Sequence, residues 1–180
     1  MVFVHLADGF EEIEAVTVID VLRRAGIEVR TVSISENRTV MGVHGIPMIA
    51  DILIKEADYG RCEMIVLPGG GQGTDNLGRN ELLVKKIKEF AASGKWVAAI
   101  CAAPAVLGRA GVLNGRKATV YPGGEHNLIG ASVVPDKVVI SDTIVTSRAP
   151  GTAMDFAFTL ATILKGEETA NKVKGQMLLG

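Results

Sequence analysis

Residues 98–107, Ala-Ala-Ile-Cys-Ala-Ala-Pro-Ala-Val-Leu, place one nucleophilic side chain, Cys101, between a continuous apolar run and a helical pattern. Alanines 98, 99, 102 and 103 flank it. Small neighbours are what a sharp strand-to-helix turn needs to present a nucleophile, although the flanking glycines of the hydrolase elbow are missing. A helix N-terminus beside Cys101 predicts positive potential, free amide N–H groups and a thiol pKa lowered from ~8.5. The competing reading is a buried, inert cysteine.

Two further segments carry candidate chemistry. Residues 9–16, Gly-Phe-Glu-Glu-Ile-Glu-Ala-Val, open a helical pattern with three carboxylates. Glu11 and Glu12 are explained by the preference for acidic residues at helix N-termini. Glu14 falls at a position expected to face inward, where desolvation raises its pKa and suits it to general acid/base work. Residues 67–73, Leu-Pro-Gly-Gly-Gly-Gln-Gly, expose backbone N–H groups in a loop able to hold an oxyanion. No Gly-Lys-Ser/Thr follows, which argues against a nucleoside triphosphate site.

Of the three histidines, His5 sits within a strand pattern, and His44 and His126 lie in glycine-rich segments from which either could approach Cys101. No Cys-x-x-Cys or His-x-x-x-His spacing supports a metal. Cys62, after Tyr59-Gly60-Arg61, reads as filler at a strand entrance.

The elements that must position these groups alternate. Strands are predicted at Val2–Ala7, Ile27–Ile34, Glu63–Leu67 and Trp96–Ile100, with an irregular hairpin over Val40–Ile49. Short strands follow at Lys117–Tyr121, Ser132–Val134, Val138–Ile140 and Ile144–Thr146. Helices are predicted at Ile13–Ala25, Glu81–Ala92, Pro104–Ala110, Thr152–Leu164 and Glu168–Leu178, and the segment after Leu67 is read as a glycine loop. Such alternation implies a mostly parallel sheet with helices on both faces. Ligands of such sheets bind at the carboxyl ends of the strands, which picks out residues 8–14, 69–73 and 101–104, spatial neighbours if their strands are adjacent.

The chain has 180 residues and no linker or repeat, which predicts one domain over 1–180. Hydrophobic residues are 48% and aromatics only 4%, so the core must be aliphatic. A net charge of −1, with Lys and Arg dispersed, gives no footprint for nucleic acid. No apolar run approaches the ~18 residues of a membrane span. Two isolated cysteines and the absence of a charged, apolar leader predict free thiols and a cytoplasmic protein.

Taken in order, residues 9–16 with Asp20 and Arg-Arg-Ala-Gly, then Val-Leu-Pro-Gly-Gly, then Ala-Ala-Ile-Cys-Ala-Ala-Pro, then Thr-Ser-Arg-Ala-Pro-Gly-Thr-Ala-Met-Asp-Phe-Ala resemble the ThiJ/PfpI superfamily. Within it they are most similar to the branch of the Parkinson-disease-associated deglycase and its bacterial YajL-type relatives. The resemblance implies a flavodoxin-like α/β sandwich, a homodimer and no cofactor. It implies that Cys101 is an oxidisable nucleophile and Glu14 its protonated partner, with the Gly70 and Ala102 amides, beside Gly69, forming an oxyanion site. Arg24 and Ser147 are placed near this pocket or the dimer interface. The activities implied are conversion of α-oxoaldehydes to hydroxy acids, removal of early glycation adducts from proteins and nucleotides, peroxide sensing through a sulfinate, and holdase chaperoning.

Two departures stand out. Tyr121 occupies a position where relatives often carry His, and a phenol of pKa ~10 is no neutral-pH base. His44 stands where the branch carries an Arg near the cysteine. The peptidase branch has His directly after its nucleophile; Ala102 stands there instead, which argues against peptidase activity.

Overall fold

The computed structural model describes residues 1–179. Its strands and helices follow in the order β1 (Val2–Leu6), α1 (Glu12–Arg24), β2 (Val29–Ser33), β3 (Thr39–Met41), β4 (Pro47–Ile49), β5 (Ile52–Leu53), β6 (Met64–Leu67), α2 (Gly71–Arg79), α3 (Glu81–Ala92), β7 (Trp96–Ile100), α4 (Pro104–Arg109), β8 (Lys117–Ala118), β9 (Ser132–Val133), β10 (Val138–Ser141), β11 (Ile144–Ser147), α5 (Ala153–Lys165) and α6 (Glu167–Gln176). The main sheet has the order β10-β11-β7-β6-β1-β2-β5. Every pairing in it is parallel except β10 with β11.

Alternation along the strands divides the core in two. Val4, Val66, Ala98 and Ile100 pack with Val18 and Leu22 of α1 and Phe156 and Leu160 of α5. Their neighbours Phe3, Ile65, Leu67 and Ala99 point the other way, against Leu77 of α2, Leu83 and Ile87 of α3 and Leu107 of α4. Strands covered on both faces need no polar side, which is why β6 and β7 read as unbroken apolar runs. The predicted flavodoxin-like α/β architecture is the one observed.

Three segments differ from the expected elements. The glycine loop after Leu67 is short, because the chain enters α2 at Gly71. Low helix propensity in Gly-Gln-Gly-Thr-Asp-Asn-Leu-Gly-Arg is overridden by burial of Leu77 in the core that includes Phe3, Ile65 and Leu67 of the sheet. The expected strand at Lys117–Tyr121 is only Lys117–Ala118, paired with β9 in a separate two-stranded sheet. Tyr121 is instead held by its amide, which donates to the Cys101 carbonyl at 2.9 Å. The edge strand β5 has only two residues and was not expected.

Candidate functional site

Register brings the parts of the site together. Leu67 of β6 lies opposite Ala99 of β7, so the chain two residues on places Gly69 beside Cys101. Ile100 lies opposite Ser147 of β11, and the Cys101 amide donates to the Ser147 carbonyl at 2.9 Å. Cys101 adopts φ 62°, an unusual value for a residue with a side chain. The two backbone bonds, to Ser147 and from Tyr121, hold it there. Strain of this kind persists where surrounding structure over-determines it, often at reactive residues.

Helix α1 begins at the same sheet edge. Glu11 caps it, accepting the Glu14 amide on Oε2 at 2.8 Å. Glu14 is fully buried, as its inward position predicted. Its Oε2 accepts the Gly69 amide at 2.6 Å, while Oε1 is buried without a hydrogen-bond partner among described protein atoms. A Cβ on Gly69 would lie 2.8 Å from both Cys101 Cβ and Glu14 Oε2, so glycine is what lets carboxyl and cysteine approach. Gly70, at φ +87°, leaves no room for a side chain because the Gly9 carbonyl oxygen occupies that space.

Burial pushes the Glu14 carboxyl up to about 7, against the opposing pull of the Gly69 amide and of Cys101. Burial, then the charge and hydrogen bonding of Glu14, push the Cys101 thiol up to about 12, while the Ala102 and Gly70 amides work the other way. The expected thiol lowered by a helix N-terminus is therefore corrected. Helix α4 starts only at Pro104 and has six residues, whereas burial and a neighbouring carboxylate act directly on the sulfur. With Glu14 protonated, the repulsion disappears and the two amides oppose burial alone. The pair thus shares its titration.

The remaining candidate residues divide by position. Ser147 reaches Cys101 through its carbonyl; its hydroxyl donates to the Lys137 carbonyl at 2.8 Å and pairs with Thr152 Oγ1 at 2.8 Å. Arg24 lies at the other end of α1, paired with Asp20 at 2.7 Å, and takes no part in the Cys101 pocket of this chain. His126 is exposed and contacts Asn127 at 3.0 Å. His44 Nδ1 contacts Glu12 Oε2 at 2.9 Å. Neither histidine is brought to Cys101. Burial works against the Glu12 charge, but the His44 ring and the His44 and Ile46 amides hold its carboxyl below the usual range. His5 is packed as expected, with Nε2 2.7 Å from the Tyr59 hydroxyl, and Cys62 is a buried thiol pushed up to about 11, first by burial.

Sequence reading missed two groupings. Donor atoms of Glu11, Glu12 and His44 lie within 4.8 Å of one another, although Glu12 is already engaged by His44. A cleft of about 450 Å³ opens beside Cys101, lined by Gly71, Thr74 and Asp75 of α2, Ala102, Ala105 and Arg109, and the loop from Val120 to Gly124 with Asn127. The i, i+4 spacing of Ala105 and Arg109 along α4 was the signal for it. A larger hollow of about 740 Å³ lies between β10 and α5, lined by Met154, Phe158 and Lys174, away from the Cys101–Glu14 pair. Among the described residues no helix is long and apolar enough to cross a membrane.

Chemically, the site offers a buried nucleophile, a carboxyl group ionising near neutrality and two convergent amides. The model described as the DJ-1/PfpI family matches residues 1–163. Protein DJ-1 homolog B of Arabidopsis thaliana is 41% identical over 180 residues, covering 99% of this chain and 41% of that protein. This chain thus spans less than half the length of that plant relative. A protein named a deglycase from Pyrococcus abyssi is 36% identical over 152 residues, covering 83% of this chain and 90% of its own length. The structure of oxidized Toxoplasma gondii DJ-1 superposes with a TM-score of 0.94 at 38% identity, covering 98% of this chain and 97% of that one.

Proposed function

Because this chain belongs to the DJ-1/PfpI family, we propose that it converts α-oxoaldehydes, free or as early glycation adducts of proteins and nucleotides, to α-hydroxy acids through Cys101 and Glu14. The observation that carries this reading is the buried Glu14 carboxyl, one oxygen held by Gly69 and the other unpartnered, beside a buried cysteine. A carboxyl ionising at about 7 is matched to general-base work at neutral pH.

The reaction needs no outside oxidant. Cys101 sulfur attacks the aldehyde carbon as its proton passes to Glu14. The carbonyl electron pair moves to oxygen, which takes that proton and leaves a hemithioacetal. The Gly70 and Ala102 amides stabilise the developing oxyanion. Glu14 then removes the hydrogen on that carbon as a proton and returns it to the adjacent ketone carbon, while the hemithioacetal hydroxyl gives its proton to the ketone oxygen. The former aldehyde carbon is oxidised to a thioester and the ketone is reduced to an alcohol. Water cleaves the carbon–sulfur bond, releasing the hydroxy acid and restoring the thiol. This sequence assigns no step to Tyr121, His44 or His126. The decisive experiment is turnover of methylglyoxal to lactate by purified protein without glutathione or added metal, compared with Cys101→Ser. Activity in the Ser variant, or in neither protein, overturns the reading.

A second reading has its own support. The unpartnered Glu14 Oε1 is also a place for a sulfinic acid proton, and the nearby amides suit its oxygens. Two peroxide equivalents take the thiol through sulfenic to sulfinic acid, each leaving as water. In that case the protein is a redox-responsive sensor or chaperone. Equal oxidation of Cys101 and Cys62 by mild peroxide, read by mass spectrometry, rules this out.

We further propose that the chain acts as one domain and as a homodimer. Ile13 and Val16 of α1 and Val43, Ile46 and Ile49 around the β3–β4 hairpin are exposed, with Ile49 at 77%. Apolar side chains exposed on neighbouring elements suit a subunit interface. Sedimentation of a monomer at micromolar concentration counts against it. Two free thiols suit a reducing compartment, and we place the protein in the cytoplasm; a disulfide-bonded or exported form isolated from cells contradicts that placement.

A further inference from the structure

The proposed reaction employs Cys101, Glu14 and two amides, and leaves the adjoining cleft of about 450 Å³ unassigned. Methylglyoxal is far smaller than this space. The cleft floor on the α4 side is made of the small side chains Ala102 and Ala105, and Arg109 closes the same face one turn further on. Glycine at position 78 lets Arg109 lie against α2, since a Cβ there would begin 3.1 Å from Arg109 Nη2.

Arg109 is only loosely satisfied. Its Nη1 lies 3.7 Å from Asp75 Oδ1, both side chains about half exposed. An ion pair this long and this wet contributes little and leaves the guanidinium fork open to a better partner. Across from it, Thr74 lines the cleft at 4% exposure, and its buried hydroxyl oxygen has no hydrogen-bond partner. Gly71 brings the N-terminal end of the nine-residue α2 to the same wall. A half-free guanidinium and a helix N-terminus share one preference, for an anion.

We propose that this cleft is a substrate subsite for a carboxylate-bearing tail, so that the preferred α-oxoaldehydes are acids rather than neutral aldehydes, with Arg109 determining the preference. The assignment rests on Cys101, the chain neighbour of Ala102 in the cleft wall, being the nucleophile. Arg109 matches a carboxylate through two parallel N–H···O bonds, a geometry lysine does not reproduce. Asp75 opposes the ligand by competing for Arg109, so its removal should tighten binding.

The test measures binding separately from chemistry. In the Cys101→Ser protein, calorimetry compares α-hydroxyglutarate with α-hydroxyvalerate, which differ by the distal carboxylate. The diacid is expected to bind about tenfold or more tightly, the scale of a charge-assisted bond. Arg109→Met removes that advantage, Arg109→Lys retains part of it, and Asp75→Asn enlarges it. In the unmodified protein, γ,δ-dioxovalerate shows a lower KM than α-oxovaleraldehyde at similar kcat, and Arg109→Met closes the KM gap. Equal binding of the two acids, or a diacid advantage that survives Arg109→Met, overturns the subsite. If no α-oxoaldehyde is turned over while the diacid still binds through Arg109, the reaction falls and the anion subsite stands.

Discussion

The Gly69 amide donates to Glu14 Oε2 at 2.6 Å, and that bond joins the loop after β6 to the first turn of α1 directly beside Cys101. The carboxyl is thereby oriented with its second oxygen free, in a site that burial makes unfavourable for charge. Orientation and desolvation act on the same group, and together they make the Cys101–Glu14 pair a single titrating unit.

The pair is expected to set the acid limb of the pH profile. Below about 7 both groups are protonated and neither a thiolate nor a general base is present. kcat/KM should therefore rise with pH through an apparent pKa near 7 that belongs to the pair. In Glu14→Gln only the thiol can lose a proton, and burial, the largest influence on Cys101, still raises it. The limb should move upward past the ordinary thiol value of ~8.5, and turnover at neutral pH should fall by roughly 10²–10⁴. The limb is read from kcat/KM across pH and independently from the rate of iodoacetamide alkylation of Cys101. An unmoved limb in the Gln variant removes Glu14 from the chemistry.

Glu14 also costs stability. Its folded pKa of about 7 exceeds the ordinary 4.5, so between those values the native state holds a proton the unfolded chain has lost. Stability from this group is full below 4.5 and is lost as pH rises through about 7. The difference corresponds to roughly 3 kcal/mol above pH 7. Glu14→Gln should thus be more stable than the parent protein at pH 8 by up to about that amount, with the gap narrowing toward pH 4.5. Buried His5, lowered to about 3 by desolvation, destabilises both proteins equally as pH falls below 6.5, and cancels in the comparison. Urea unfolding at the two pH values gives the difference directly.

Gly70 should resist substitution. It sits at φ +87°, and an added Cβ would overlap the Gly9 carbonyl oxygen. Gly70→Ala combines left-handed strain with a backbone collision, each on the order of 1–3 kcal/mol. The expected loss is about 2–5 kcal/mol in urea unfolding. Gly71 has nothing within 4 Å of its Cβ position and no positive φ, so Gly71→Ala serves as the control for stability and should shift it by less than about 1 kcal/mol.

Much of this site was legible because its determinants are local or set by simple alternation. The apolar runs ending at Leu67 and Ile100, read as parallel strands, already put Gly69 and Cys101 at one edge of the sheet, and pairing of β6 with β7 made them neighbours. Glu14 could be told from Glu11 and Glu12 by its place in the helical period. The cysteine's titration was misjudged because it depends on burial and on a carboxylate 87 positions away, whereas the helix-terminus argument considers only adjacent residues. Helix α2 escaped notice because its sequence is glycine-rich and only tertiary packing of Leu77 makes it helical. With α2 hidden, the cleft between Asp75 and Arg109 was hidden too.

The exposed histidines should prove dispensable for chemistry. His126 lies in the turn over Glu125–Asn127, with its ring against the neighbouring Asn127 side chain. His44 has a side chain 69% exposed, and its ring and amide both serve Glu12, whose role is to tie the β3–β4 hairpin to α1. A Cys–His mechanism would need one of them within hydrogen-bond reach of the sulfur, and each already faces another partner. His126→Ala should therefore keep kcat/KM for methylglyoxal within about twofold, with no change in the acid limb. His44→Gln should do the same for the acid limb while lowering stability by about 1 kcal/mol, the scale of the lost bond to a charged Glu12. A tenfold loss of kcat in either variant, with stability intact, would mean that a histidine reaches Cys101 during turnover and that Glu14 does not carry the proton alone.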